Sequence, residues 1–299
     1  MKSFSIIIPS FNSATFISAA VDSIVNADYD KSLLEVIIVD DGSTDQTFSY
    51  VENLIKPYPF IKQFRKQNGN WGSVLNYVKH NKIVKNEIVS VLDADDQYLP
   101  YTFKLVNEKI GNNDLFAGAF YRFNGKRKTS KKRTYWFVFK RTISKQKQMI
   151  SSQCFPLPYF FTKEIFYNLY DFREKVFFQD LVLFSQISSL AKSMVFTKKS
   201  VGLYYVNRPG SSSLIPYTYN DKFEPILYAC HQCIKNGQPE WASYLLTNKN
   251  FYKFSKENNV KFEIEKKLDF CWFPWFFRWA YFLIYFFKQK KFFIKKSLK

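Results

Sequence analysis

Five aspartates stand in two short segments, Asp40-Asp41-Gly42-Ser43 and Asp93-Ala94-Asp95-Asp96, each directly after an apolar run of the kind that forms a buried strand. Like charges placed so closely repel and cost folding energy. A hard divalent cation shared with phosphate oxygens relieves that cost. The chemistry indicated is therefore nucleotide binding through a metal-bridged diphosphate. A third strand end, Pro9-Ser10-Phe11-Asn12, supplies polar groups beside the acids. An Asp-Asp-Gly turn alone is weak evidence, because it also makes an ordinary turn and helix cap. Its recurrence after successive apolar runs is the signal. The sequence has no GxGxxG and no GxxxxGK[ST], so no glycine phosphate cradle is indicated. Only two histidines occur, His80 and His231, which argues against a His-rich zinc centre or a Ser-His-Asp triad. Cys230-His231-Gln232-Cys233 has CxxC spacing but no second pair to complete a four-ligand site, and reads better as two half-buried thiols on a helix.

The elements that must position these acids follow from periodicity. Phe4–Ile8, Glu35–Val39 and Glu87–Leu92 are short apolar runs expected as buried strands, with a further strand over 61–67. Between them, helices are expected from an Asn12 cap through Ile24, from Ser43 through Leu54, and over 72–83. This alternation predicts an α/β fold with a mostly parallel sheet and helices on both faces. Ligands of such sheets bind beyond the carboxyl ends of the strands, where the acids stand. Further on, 115–124 reads as a strand and the basic cluster Lys126–Arg133 as a hairpin tip or loop. Asp180–Leu190 reads as a helix, and 194–206 as two short strands around Lys198-Lys199.

The 299 residues are 46% apolar, enough for a core, and 20% aromatic. Disorder and low-complexity repeats are excluded for most of the chain. The net charge of +19 is uneven. Residues 1–100 carry nine Lys+Arg against twelve Asp+Glu, and residues 101–299 carry 35 against 13. The second part is expected to face something anionic. Residues 270–287 are an aromatic run containing Pro274 and Arg278, and six lysines without an acid follow to Lys299. That composition suits a helix lying in the headgroup layer better than a spanning or core helix. No signal peptide is evident, so the expected place is cytoplasmic, peripheral on the inner face of the membrane.

The segments Ser5–Asn12, Val39–Asp45, Asn70–Asn76 and Leu92–Asp96 together resemble the family-2 inverting glycosyltransferases of GT-A fold. The resemblance covers roughly residues 3–215. It implies a GT-A nucleotide-sugar-binding domain over 1–215, with a nucleotide half at 1–100 and an acceptor half at 101–215. A helical region at 216–267 and a membrane-associating anchor at 268–299 would follow. The implied donor is a UDP-sugar, with Pro9 and Asp41 at the uracil pocket, Asp41 accepting from the base, and Phe11, Asn12, Asp40 and Ala94 also binding the donor. Asn68 to Gly72, and Asn76, would border the donor, with Asp93 at the ribose or sugar. Asp95 would ligate Mg²⁺ or Mn²⁺. Asp96 either joins them or only caps the next turn. Asp180, in Phe177-Phe178-Gln179-Asp180, matches the position of the family's general base, with Gln179 where Glu is usual. Arg208 and Ser211, in Tyr204–Ser213, match a loop closing on the diphosphate. The implied acceptor is a lipid, lipid-linked glycan or cell-envelope polymer. Two other readings are a basic nucleic-acid-binding protein and an inactive donor-fold scaffold. No RNP-like or helix-turn-helix signal supports the first, and intact Asp93, Asp95 and Asp180 argue against the second.

Overall fold

The computed structural model describes residues 1–124, 128–132, 157–176, 179–206, 208, 228 and 235. In chain order the elements are β1 (Phe4–Ser10), α1 (Ile17–Val25), a 3₁₀ turn (Lys31–Leu33), β2 (Leu34–Asp40), α2 (Thr47–Ile55), β3 (Ile61–Arg65), α3 (Trp71–His80) and β4 (Ile88–Val91). Then come β5 (Gln97–Tyr98), α4 (Thr102–Ile110), β6 (Leu115–Phe123), β7 (Lys128–Lys132), β8 (Tyr159–Thr162), α5 (Lys163–Tyr167), α6 (Gln179–Leu190) and β9 (Met194–Tyr205). One sheet runs in the order β3-β2-β1-β4-β8-β6-β9-β5, with β7 beside β6.

The first four strands are parallel, as expected from their apolar runs. Every residue of β1, β2 and β4 is buried, because helices cover both faces. Alternation divides the core in two. Ile7, Ile37 and Val39 pack under α3, α5 and α6, while Ile6, Ile8, Val36 and Ile38 pack under α1 and α4. Each such side chain stabilises the fold by roughly 1.5–3 kcal/mol when fully buried.

The sheet as a whole is mixed, which corrects the mostly parallel expectation. β8 enters antiparallel between β4 and β6, and β5 and β7 also pair antiparallel. Three local expectations also change. Asn12 does not cap α1; it lies at φ 46°, and the Ser13 carbonyl accepts from the Phe16 and Ile17 N–H groups instead. α2 starts at Thr47 rather than Ser43, and Asp45 accepts from the Thr47 N–H at 2.9 Å. The stretch at 194–206 is one strand, not two. Its register against β6 jumps from Ala117↔Phe196 to Ala119↔Ser200, so Lys198-Lys199 marks a bulge. The basic cluster is partly strand, since Lys128–Lys132 pairs with Tyr121 and Phe123.

No helix among the described residues is long and apolar enough to cross a membrane. The expected helical region at 216–267 (apart from Tyr228 and Lys235) and the expected anchor at 268–299 lie outside the described residues.

Candidate functional site

β1, β2 and β4 end side by side, so their polar ends meet at one edge of the sheet. Pro9 is buried in β1, and Ser10 shares a hydrogen bond with Ser13 at 2.9 Å. Phe11 follows with 49% of its surface exposed. Asn12 uses its left-handed backbone to reach across to the β2 loop. Its N–H donates to Ser43 Oγ at 2.9 Å, and its Oδ1 accepts from the Thr44 N–H at 2.9 Å.

Asp40 and Asp41 are buried and well supplied with protein donors. Asp40 accepts from the Ser43 N–H at 3.2 Å and from Ser43 Oγ, and it pairs with Arg65 Nε at 3.2 Å. Asp41 pairs with Lys66 Nζ at 2.7 Å and accepts from the Gly69 N–H at 3.1 Å. Asn68 Nδ2 donates to the Asp41 carbonyl at 2.9 Å. Gly42 makes this packing possible: its φ is +73°, and a Cβ there would stand 2.9 Å from the Asn68 nitrogen.

Gly72 and Asn76 lie on α3, turned toward the acceptor half. A Cβ on Gly72 would meet Phe172 Cβ at 2.6 Å and Gln179 Cγ at 3.1 Å. The Asn76 amide is committed to the Phe172 main chain: Nδ2 donates to its carbonyl and Oδ1 accepts from its N–H, both at 2.8 Å.

The turn after β4 has the opposite electrostatics. The Asp93 carbonyl accepts from the Asp96 N–H at 2.9 Å, which folds the acids together. Burial pushes the Asp93 carboxyl up to about 7, the Asp95 charge adds to this, and Asp180 pushes the same way. Trp71 Nε1–H donates to Asp93 Oδ1 at 2.8 Å, which opposes the shift. Asp96 is also raised well above the usual carboxylate range, by burial and then by Asp95 and Asp93. Its Oδ1 accepts from the Tyr205 N–H at 2.9 Å, and its buried Oδ2 has no hydrogen-bond partner among the described residues. Asp95 pairs with Arg208, whose guanidinium lies 4.7 Å from the Phe16 ring centroid. Ala94 is buried between them.

Asp180 is in the first turn of α6 and acts on Asp93 across 87 positions of sequence. Ser211, Phe177 and Phe178 lie outside the described residues. Three further residues belong here. Trp71 orients Asp93. Lys66 neutralises Asp41. The Tyr204 hydroxyl is pushed up by burial and by Asp96, Asp93, Asp180 and Asp95, so one phenol feels all three acids of the second turn and Asp180. Trp71 sits inside a motif read from the sequence. Tyr204 heads the Tyr204–Ser213 segment expected to close on the diphosphate, but it lies in β9, held there by pairing with β6 next to the β5–β9 pairs.

Does a divalent cation fit? Asp93, Asp95 and Asp96 form a surplus of negative charge, and Asp96 Oδ2 is an orphaned buried acceptor. That donor set suits a hard cation. Among the described residues no group of three or more His, Cys, Asp or Glu could hold a metal ion by itself. The fit therefore requires oxygens from a bound diphosphate as well.

An uncharacterised glycosyltransferase of Mycoplasma genitalium is 32% identical over 97% of this chain and 98% of its own length. A GalNAc(5)-diNAcBac-PP-undecaprenol beta-1,3-glucosyltransferase of Campylobacter jejuni is 36% identical over 40% of this chain and 38% of its own. Among solved structures, S. aureus TarS 1–349 in complex with UDP-GlcNAc superposes with a TM-score of 0.69 at 21% identity, covering 87% of this chain and 77% of that one. That likeness shows a GT-A-like α/β fold. Residues 5–169 match the family described as Glycosyl transferase family 2, and the chain belongs to that family.

Proposed function

We propose that this protein is an inverting, metal-dependent glycosyltransferase. It moves a sugar from a UDP-sugar to a lipid, lipid-linked glycan or cell-envelope polysaccharide at the cytoplasmic face of the membrane. The observation that carries the reading is that the Asp180 charge raises the Asp93 carboxyl, so a carboxylate of the acceptor half lies within electrostatic reach of the donor-half acids.

In this reading Pro9, Phe11, Asn12, Asp40, Asp41 and Asn68 build the wall for the nucleotide base. Asp41 is held ready by Lys66 and Gly69. Asp93 and Ala94 face the ribose or sugar. Asp95 would hold Mg²⁺ or Mn²⁺ together with the diphosphate, and the cation would neutralise the charge that develops on the leaving group. Arg208, paired with Asp95, would transfer its pairing to the phosphates, and Ser211, three positions on in sequence, would add a donor. Asp180 accepts the proton of the acceptor hydroxyl as its oxygen bonds to the anomeric carbon and the bond to the diphosphate breaks. Attack opposite the leaving group inverts the anomeric configuration.

Support for the UDP donor comes from the UDP-GlcNAc complex of TarS, and for Mn²⁺ from a Pyrobaculum calidifontis mannosyltransferase bound to GDP-Man and Mn²⁺ (TM-score 0.52). The Campylobacter relative's name supports a lipid-linked acceptor. The acid-free basic stretch from Leu115 to Lys163 and the lysine-rich terminus support an anionic membrane surface and not nucleic acid. The test is a panel of UDP-sugars incubated with purified protein, Mn²⁺ and vesicles containing diacylglycerol or polyprenyl phosphate. Product of inverted configuration is expected. Absence of both transfer and donor hydrolysis across the panel refutes the reading.

A further inference from the structure

Between α5 and α6 the chain runs as a strap over residues 169–176, and two buried amide side chains grip its main chain from opposite helices. On α3, Asn76 exchanges two hydrogen bonds with the Phe172 backbone, both at 2.8 Å. On α6, Gln186 does the same with Tyr170: Oε1 accepts from its N–H at 2.5 Å, and Nε2 donates to its carbonyl at 3.3 Å. Each amide thus mimics a strand partner for one residue of the strap, and both residues are buried. The Lys175 N–H also donates to the Gly69 carbonyl at 2.8 Å, which ties the strap to the loop before α3. Gly72 brings α3 so close that a Cβ would strike Phe172 and Gln179. At the start of α3, Trp71 donates to Asp93 and packs edge-on against Phe172, with ring centroids 6.3 Å apart.

We infer that Asn76 and Gln186 are positioning residues for Asp180: through the strap between them, they fix the separation of the acceptor-side carboxylate on α6 from Asp93 on the donor side. This rests on the proposed role of Asp180, and it moves Asn76 from the donor pocket to the frame of the base. The physical reason is rigidity. Asp180 is at the first turn of α6, where a helix is held least by its own hydrogen bonds. A displacement of about 1 Å in a reacting group can cost about 10²-fold in rate. A two-bond amide grip on each side removes the sliding freedom that a purely apolar contact would leave.

The test compares Asn76→Ala, Gln186→Ala and the double variant, each also in an Asp180→Asn background, in the full chain. Donor turnover is read as kcat and KM for UDP-sugar hydrolysis, and UDP affinity is read calorimetrically with Mn²⁺. The expected result is a kcat loss of about 10- to 100-fold for each variant, with UDP affinity changed less than about twofold. In the Asp180→Asn background the same substitutions should cost almost nothing further, because the group they position is already lost. Parallel loss of UDP affinity would return Asn76 to the donor pocket. Additive losses in the Asp180→Asn background would make both residues merely structural. Either result overturns the inference. Should Asn76→Ala fail to fold, Asn76→Asp keeps the acceptor for the Phe172 N–H and removes only the donor. Should the wild-type protein not turn over any UDP-sugar, the proposed function fails first. Hydrogen exchange then decides the inference: faster exchange over 179–190 with 93–96 unchanged supports it, and unchanged exchange in α6 sinks it.

Discussion

The two acid turns at the edge of the sheet look alike in sequence and differ in the fold. The turn after β2 is saturated. Arg65, Ser43, Lys66 and Gly69 supply cations or hydrogen bonds to Asp40 and Asp41. The turn after β4 is starved. Arg208 pairs with Asp95, while burial and mutual repulsion raise Asp93 and Asp96 above the usual carboxylate range. A satisfied buried carboxylate holds structure, and an unsatisfied one is poised to take up positive charge. Asp180 presses on the second turn. In the function proposed above, the first turn would serve as scaffold and for base recognition, and the second for phosphate and metal chemistry.

The comparison breaks most visibly in turnover. Asp180→Asn should keep UDP binding and lower the rate by about 10²- to 10⁴-fold, the usual range for losing a general base. Steady-state kinetics on the productive donor checks this, and near-wild-type turnover removes Asp180 from the mechanism. Asp95→Ala should abolish Mn²⁺-dependent UDP binding, since the starved turn then lacks the carboxylate placed to share a cation with the diphosphate. Calorimetry with and without a chelator measures it, and unchanged affinity would mean the two turns do not differ as described.

Smaller effects sharpen the contrast through stability. Asp40→Asn leaves Arg65 without its anion and disturbs the Ser43 bonds, so it should destabilise the fold by about 2 kcal/mol in urea titration. Asp95→Asn removes one of three crowded charges, and its stability cost in metal-free protein should stay below about 1 kcal/mol. Equal costs at the two turns would contradict the distinction. The smallest effect on the site is expected from deleting 268–299. Turnover with a soluble acceptor should persist, while flotation with anionic vesicles should weaken in a salt-dependent way. Retained flotation would move the membrane contact to the acid-free stretch between Leu115 and Lys163.

Much of the donor half was legible because its strands are buried on both faces. Such strands are continuous apolar runs, and β1, β2 and β4 appear within a few residues of where the pattern puts them. Helix starts were less legible. Asn12 and Ser43 have the residue types of caps, but both are used to hold the β1 and β2 loops together. In the second half β8 is only four residues long, and its place between β4 and β6 depends on partners distant in sequence. No local period encodes such a pairing.

The sequence by itself determined the α/β alternation, the acids at the strand ends and the family, because each depends on residue types within a short window. The tertiary structure decided what those residues do. Asp41 meets Lys66, Asp95 meets Arg208 and Asn76 grips Phe172 only once the sheet is assembled. The physical reason is that a carboxylate's state depends on burial and on the charges around it, and the cations that pair with Asp41 and Asp95 come from residues 25 and 113 positions away.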